Sequence, residues 1–283
     1  ASDLRTINYL IDNKVTINLN SVDSYFNLGY NELENSYLNE INKLSQGCYL
    51  KIDLNNFETK LIKYWDSISF FKNKEYLQLP ESEIITQLDE LLTSAFKYRM
   101  ISDVPVGVFL SGGYDSSLVS SILSKKTNYE INSYTIGFAD SKFNEAHHAK
   151  KVANYLGLNH TEKICTENDA FELIENLVDV YDEPFGDPSQ IPTLLVSKLA
   201  SNDVKVVLSA DGGDEIFGGY SRYSTSMNIH NFTNKVPKVF LKLIESIPSL
   251  VSKNLLSLYL RRKINTNHIK KFNRILNSKS IFE

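Results

Sequence analysis

The 283-residue chain predicts an α/β fold, a parallel twisted sheet with helices on both faces. Three observations carry this expectation. Short apolar runs alternate with amphipathic helical stretches between Val104 and about Tyr220, the pattern of strands buried on both faces. Two of these runs end in Gly-Gly turns that pass directly into helix-forming sequence. Finally, 42% hydrophobic against 23% charged residues supply enough apolar surface for a large core.

Taken in order, residues 2 to about 75 mix Asn-rich turns with short alternating strands at Val15–Leu19 and Tyr49–Leu54. Ser21–Gly29 and Glu32–Leu44 read as short helices. A longer helix is predicted over Ser82–Tyr98, where Ile84, Ile85, Leu88, Leu91, Leu92 and Ala95 recur at helical spacing. Strands follow at Val104–Leu110, Ile131–Phe138, His160–Ile164 and Val204–Leu208. Helices at Ser116–Lys125, Asn144–Leu156, Asp169–Tyr181 and Pro192–Ser201 separate or flank them. From about Met227 the chain reads as helical and Lys-rich, with breaks at Pro237 and Pro248.

Charge and cysteine usage narrow the function classes. Thirty Lys and Arg against 34 Asp and Glu leave a net charge of −4, which argues against a protein held on nucleic acid by its phosphates. The two cysteines, Cys48 and Cys165, are far apart and lack metal-ligand spacing, the usage of a reducing compartment. No apolar run approaches the roughly 20 residues that span a bilayer, and no signal segment opens the chain. The expectation is a cytoplasmic protein with neither nucleic-acid nor membrane partners. A start at Ala1 without Met, and a stop at Glu283 just after a helical stretch, suggest a piece of a longer chain.

The densest chemistry follows the strand Val104–Leu110. Ser111-Gly112-Gly113-Tyr114-Asp115-Ser116-Ser117 leads into the apolar helix that begins at Leu118. Gly112 and Gly113 permit positive φ and leave backbone N–H groups uncovered, so a phosphate can approach. Ser111, Ser116 and Ser117 add hydroxyls, and the helix N-terminus adds partial positive charge. Asp115 suits a site where Mg²⁺ lies between it and phosphate oxygens. The pattern is neither GxxxxGK[ST] nor GxGxxG. The alternative is a plain strand-to-helix turn with Asp115 or Ser116 as N-cap.

A second loop, Ser209-Ala210-Asp211-Gly212-Gly213-Asp214-Glu215, follows the strand Val204–Leu208 and carries three carboxylates. Ligands of open α/β sheets bind outside the carboxyl ends of the strands, so two such loops predict one crevice lined by both. Asp115 and Asp214 are the candidate magnesium ligands there. The alternative for Asp214 and Glu215 is capping of a helix first turn, where acidic side chains gain about 0.3–1 kcal/mol.

Other features carry less. The turn Asp182–Ser189 reads either as a site for an amino group or second metal, or as a rigid surface turn. His147 and His148 read as solvated, and His160 as a structural residue. No Ser-His-Asp or Cys-His arrangement stands out. Lys235, Lys238, Lys242, Lys263, Lys270 and Lys271 read as a solvated helix face.

The runs Ser102–Ser117, Tyr134–Phe138 and Leu208–Tyr220 together resemble the synthetase domain of glutamine-hydrolysing asparagine synthetases, which are N-type ATP pyrophosphatases. Residues 1–75, including Gly47-Cys48-Tyr49-Leu50 and Tyr64-Trp65-Asp66, resemble the tail of that family's glutaminase domain, with 76–283 as a synthetase domain cut short at its C-terminus. The resemblance implies an adenine nucleotide α-hydrolase-like sheet and ATP-dependent amide synthesis. The aspartate side chain would be activated as β-aspartyl-AMP with release of pyrophosphate, and ammonia, from glutamine in the full-length enzyme, would displace AMP. It further implies that Ser111, Gly112, Gly113, Asp115 and Ser116 hold pyrophosphate, that Leu110, Ile136 and Gly137 contact adenosine, and that Ser209 and Ala210 also line the nucleotide. Asp115 and Asp214 would bind Mg²⁺, and Ser209 and Asp211 would stand at the reaction centre. The implied partners are small molecules, namely ATP, an acid and ammonia or glutamine; a homodimer is compatible with it.

Three departures qualify the resemblance. The family's glutaminase domain begins with a catalytic Cys, whereas this chain begins with Ala1. A lysine of the family's reaction centre should fall beyond Glu283. Ala210-Asp211 stands in place of Gly-Glu, and Asp187-Pro188-Ser189 in place of a segment carrying an Arg. Both of these variants suit paralogues that amidate other acids, including sugar acids of surface polysaccharides. A nucleotide-binding fragment without turnover is the remaining alternative.

Overall fold

The computed structural model describes residues 1–11, 14–31, 34–71, 78–139 and 144–235. The chain divides into two compact units, Ala1–Ala210 and Asp211–Glu283. The first opens with α1 (Leu4–Leu10), capped by Asp3, and α2 (Leu19–Leu28), capped by Asn18 and ended by Gly29 at φ 86°. The strand expected over Val15–Leu19 shrinks to one bridge, Ile17 to Leu38. The helix expected over Glu32–Leu44 is not formed by its described part, which instead carries that bridge and another between Asn35 and Asn42. Asparagine side chains satisfy the backbone there in place of helical bonds: Asn31 donates to the Asn35 carbonyl at 2.8 Å and Asn39 to the Ile17 carbonyl at 3.2 Å.

β1 (Cys48–Ile52) and β2 (Thr59–Lys63) pair antiparallel as a separate small sheet. They are followed by α3 (Ser67–Phe71) and α4 (Glu81–Arg99). α4 bears Glu81 and Glu83 in its first turn and Lys97 and Arg99 in its last, both favourable to the helix dipole.

The main sheet is wholly parallel, as expected. It consists of β3 (Val106–Phe109), β4 (Asn132–Phe138), β5 (Asn159–Cys165) and β6 (Val206–Leu208), in the order β5-β4-β3-β6. α5 (Tyr114–Lys126) leads from β3 to β4, and α6 (Ala146–Leu156) from β4 to β5. α7 (Glu167–Ile174), α8 (Leu177–Val180) and α9 (Gln190–Ala200) lie between β5 and β6. The single helix expected over Asp169–Tyr181 is therefore two. Asn176 marks the break: its side-chain amide takes the Glu172 carbonyl, and its backbone N–H turns to Leu173 instead.

Alternate strand residues face opposite ways, and both faces are covered. Val106 and Val108 pack with Met100, Val119 and Leu123 against α4 and α5. Leu110 packs with Ala149 and Ala153 of α6. On the other face Phe109, Tyr134 and Val207 meet Val196, Leu199 and Ala200 of α9. Burial beside the Asp203 carboxylate pushes the Tyr134 phenol up to about 12. Among the described residues, no helix is long and apolar enough to cross a membrane.

Gly107 in β3 is a site where only a missing side chain will fit. A Cβ there would lie 2.7 Å from Tyr134 Cε2 and 3.2 Å from the Asn132 carbonyl oxygen. Gly107→Ala is expected to cost about 1–3 kcal/mol through overpacking, read as a lower urea midpoint with an unchanged slope. An unchanged midpoint would show that the Tyr134 ring moves aside freely.

The acidic turn 182–189 has a structural task that its composition did not reveal. Asp182 Oδ2 accepts the Leu4 N–H at 2.6 Å, and Glu183 accepts the Tyr37 N–H at 3.2 Å and pairs with Lys43. Tyr37 Oη donates to the Pro184 carbonyl at 3.0 Å, and the Gly186 N–H to the Gly29 carbonyl at 2.5 Å. These contacts bind the N-terminal segment to the loop before α9, so of the two readings the turn is the structural one at Asp182 and Glu183.

The second unit contains α10 (Gly213–Phe217) and α11 (Ser221–Lys235). α11 begins before the expected Met227. Pro237, Pro248 and the lysines from Lys238 onward lie outside the described residues.

Candidate functional site

The strand order places the candidate loops. From β3 the chain steps outward through β4 to β5, then returns across the sheet to lay β6 on the other side of β3. The direction of winding reverses between β3 and β6, and such a reversal opens a crevice at the carboxyl ends of the two strands. Val108 pairs with Leu208, so Ser111 and Ser209 leave the same edge from neighbouring strands.

The first loop is shaped from within. Ser116 is buried at 7% exposure, and its hydroxyl accepts the Ser111 N–H at 3.2 Å, meets Ser111 Oγ at 3.0 Å and reaches the Gly113 carbonyl at 3.3 Å. The Gly113 N–H donates to Ser111 Oγ at 3.2 Å. These bonds close a tight turn. Gly113 is the N-cap of α5, and no side chain caps that helix. The capping alternative for Asp115 and Ser116 therefore does not hold: they occupy the first turn, with Asp115 half-buried. An uncapped helix start with small residues before it offers backbone N–H groups and positive potential to an anion.

Gly112 answers two demands. Its φ is 84°, and a Cβ there would stand 2.5 Å from the Ala149 N and 2.9 Å from His148 Cβ. The loop thus lies directly on the first turn of α6. His147 and His148 on that turn are exposed, as expected, and their rings meet edge to face at 4.5 Å. His160 is a structural residue here, its Nδ1 3.0 Å from Ser133 Oγ.

Leu110, Ile136 and Gly137, to which the resemblance gives the adenosine contacts, lie just after β3 and within β4. The Leu110 side chain is in the core at 1% exposure, its N–H donates to the Tyr134 carbonyl at 3.0 Å, and its carbonyl accepts the Thr135 hydroxyl. Ile136 packs towards Cys165, Leu173 and Leu195. Gly137 is closely covered: a Cβ would meet Ile164 Cδ1 at 2.6 Å and Asn144 Oδ1 at 2.7 Å. Thr135, which holds the Leu110 carbonyl, and Asn144, whose Oδ1 accepts the Ala146 N–H at 3.1 Å beside Gly137, carry no distinct signal in the sequence; a hydroxyl on a buried strand and an Asn before a helix are too common to single out.

Ser209 and Ala210 begin the second loop within the first unit, with Ala210 packed on the Met100–Leu123 cluster. Asp211, Asp214 and Glu215 belong to the second unit. Gly212, at φ 90°, is the N-cap of α10, and Asp214 and Glu215 stand in its first turn, as the helix-capping alternative anticipated. Glu215 accepts the Tyr220 hydroxyl at 3.0 Å, which raises the phenol's pKa.

Among the described residues, no group of three or more His, Cys, Asp or Glu side chains could hold a metal alone. Magnesium is commonly held by one or two carboxylates together with substrate phosphates, and Asp115 and Asp214 each offer one carboxylate from the first turn of a helix. A separate cavity of about 920 Å³, lined by Thr93, Lys97, Tyr98, Lys126 and Tyr129 among others, lies at the far end of α5 from this loop.

The chain is 38% identical over 237 residues to the putative asparagine synthetase [glutamine-hydrolyzing] 2 of Methanocaldococcus jannaschii, covering 83% of this chain and 44% of that protein. It is 31% identical over 184 residues to asparagine synthetase [glutamine-hydrolyzing] 1 of Bacillus subtilis, covering 65% of this chain and 29% of that one. The chain thus spans less than half the length of these curated relatives. Among solved structures, the NH3-dependent NAD synthetase of Campylobacter jejuni overlaps 68% of this chain and 93% of its own at a TM-score of 0.35 and 15% identity. The family model described as Asparagine synthase matches residues 87–280, which is most of the sequence, and the chain belongs to the asparagine synthase family.

Proposed function

We propose that this chain is the ATP-dependent synthetase portion of an amide-forming carbon–nitrogen ligase, with aspartate as the acid activated. The observation that carries the reading is the uncapped, glycine-rich start of α5 at the point where the sheet reverses direction. In this reading Ser111, Gly112, Gly113, Asp115 and Ser116 hold the pyrophosphate portion of ATP, and Leu110, Ile136, Gly137, Ser209 and Ala210 line its nucleoside side. Asp115 supplies a carboxylate for magnesium from the first loop, and Asp214 supplies one from the second. Magnesium, when bound, offsets the negative charge of the phosphates.

A carboxylate oxygen of the acid attacks the α-phosphorus, the bond to the β-phosphate oxygen breaks, and pyrophosphate leaves. Ammonia then adds to the activated carbonyl carbon; AMP departs, the nitrogen loses a proton, and the amide remains. Ser209 and Asp211 stand at this centre. The protein's contribution is to align two reactants and to meet charge developing on the phosphate with fixed N–H dipoles.

The test uses the full-length protein with aspartate, ATP, ammonia and magnesium. AMP and pyrophosphate are expected in equal amounts; ADP would rule the reading out. Nucleotide binding with no acid consumed would instead favour a binding fragment without turnover.

One observation favours a second acceptor. Asp187 accepts the Ser189 N–H at 2.8 Å, and this bond holds its carboxyl below the usual carboxylate range. An ionised Asp187 cannot pair with a substrate carboxylate as an Arg would. A panel of carboxylic acids, sugar acids included, separates the readings: clear preference for aspartate removes the second.

A further inference from the structure

The contacts around Asp214 in the second unit go beyond what the helix start itself requires. α10 has only five residues, too few to hold its shape through its own hydrogen bonds. Gly212 at φ 90° and Gly218 at φ 71° bracket it with left-handed turns. After the second turn the Gly219 N–H comes back to the Asp214 carbonyl at 3.0 Å. A Cβ on Gly219 would overlap Asp214 Oδ1, so the carboxylate lies against a bare Cα.

The next residues fasten this return. Tyr220 donates its hydroxyl to Glu215 Oε1 at 3.0 Å, one residue beyond Asp214. The Arg222 guanidinium sits 3.9 Å from the centre of the Tyr220 ring and 5.5 Å from that of Tyr223. The two rings meet edge to face at 5.7 Å. A planar cation over both rings restricts how far the Tyr220 side chain can swing, and Tyr220 in turn restricts Glu215.

We infer that Gly219, Tyr220 and Arg222 are positioning residues that hold the Asp214 carboxylate in one orientation for magnesium. This rests on the reading of Asp214 as a magnesium ligand. None of the three need touch the ion. Gly219 sets the surface on which the carboxylate lies, Tyr220 ties the following residue, and Arg222 restrains Tyr220. Lysine cannot replace Arg222 fully, because its ammonium lacks the planar face that stacks on a ring.

The test measures ATP binding to the full-length protein over a magnesium series, by calorimetry, for wild type, Gly219→Ala, Tyr220→Phe and Arg222→Lys. Amide hydrogen exchange over 213–219 without nucleotide or metal is measured alongside. Tyr220→Phe is expected to raise the magnesium concentration for half-maximal binding about tenfold, the effect of one lost hydrogen bond, with binding at saturating magnesium restored to within about twofold. Gly219→Ala should shift it further, and Arg222→Lys less. Exchange over 213–219 should quicken in all three.

Faster exchange with an unchanged magnesium requirement overturns the proposal, since the contacts would then be merely structural. Unchanged exchange overturns the restraint itself, whatever the nucleotide does. A wild-type protein whose ATP binding ignores magnesium overturns the ligand reading of Asp214 and the proposal with it, and is told apart by the wild-type curve alone.

Discussion

Asp115→Asn is expected to weaken magnesium-dependent nucleotide binding by on the order of 100-fold, equivalent to about 3 kcal/mol, the upper range for one interaction with a charged group. The substitution keeps the shape and the position in the first turn of α5, where Asp115 is half-buried and does not serve as the cap. Fold stability should therefore change little, while the carboxylate offered to a cation is lost. Calorimetry with ATP at fixed magnesium checks this, with His147→Ala as the comparison. His147 is exposed on α6, and its removal should leave affinity nearly unchanged. Equal affinities for wild type and Asp115→Asn would remove the metal role.

Gly112→Ala should damage both binding and stability. An alanine at φ 84° costs about 1–2 kcal/mol in the left-handed region. In addition its Cβ would meet the backbone of α6, with the Ala149 N at 2.5 Å and the His148 carbonyl carbon at 2.8 Å. Neither neighbour is a flexible side-chain end, so the loop or the helix must shift. A lower thermal midpoint and at least a tenfold loss of ATP affinity are expected, since small displacements at a phosphate-binding turn cost several hydrogen bonds at once. Gly113→Ala is the control: its backbone lies at φ −70°, and the nearest atom to a Cβ is Ser111 Oγ at 3.3 Å. If both variants behave alike, the approach of α6 is not what makes glycine necessary at position 112.

How far these features could be read from residue order depends on how local their causes are. The strand-to-helix turn at 111–117 is local: small residues, two glycines and an apolar run on each side, all within one stretch. The four parallel strands were legible for the same reason, with ends that differ by no more than a few residues. Where side chains compete with the backbone, local reading failed. Asn176 divides one expected helix into α7 and α8, and Asn31 and Asn39 support bridges in a segment read as helical. Composition does not say which carbonyl an asparagine will take.

The amino-acid sequence alone determined the alternation of strands and helices, the two glycine-rich turns and the acidic character of the second, because each depends on residues close together in the chain. Only the tertiary structure decided the rest. It set β6 beside β3, so that both turns start from one edge of the sheet, and it brought α6 against Gly112. It also directed Asp182 and Glu183 to the N-terminal segment. The physical reason is the same in each case: these are contacts between residues distant in sequence, chosen by the packing of whole elements, and neither spacing nor propensity specifies which distant partner a side chain will meet.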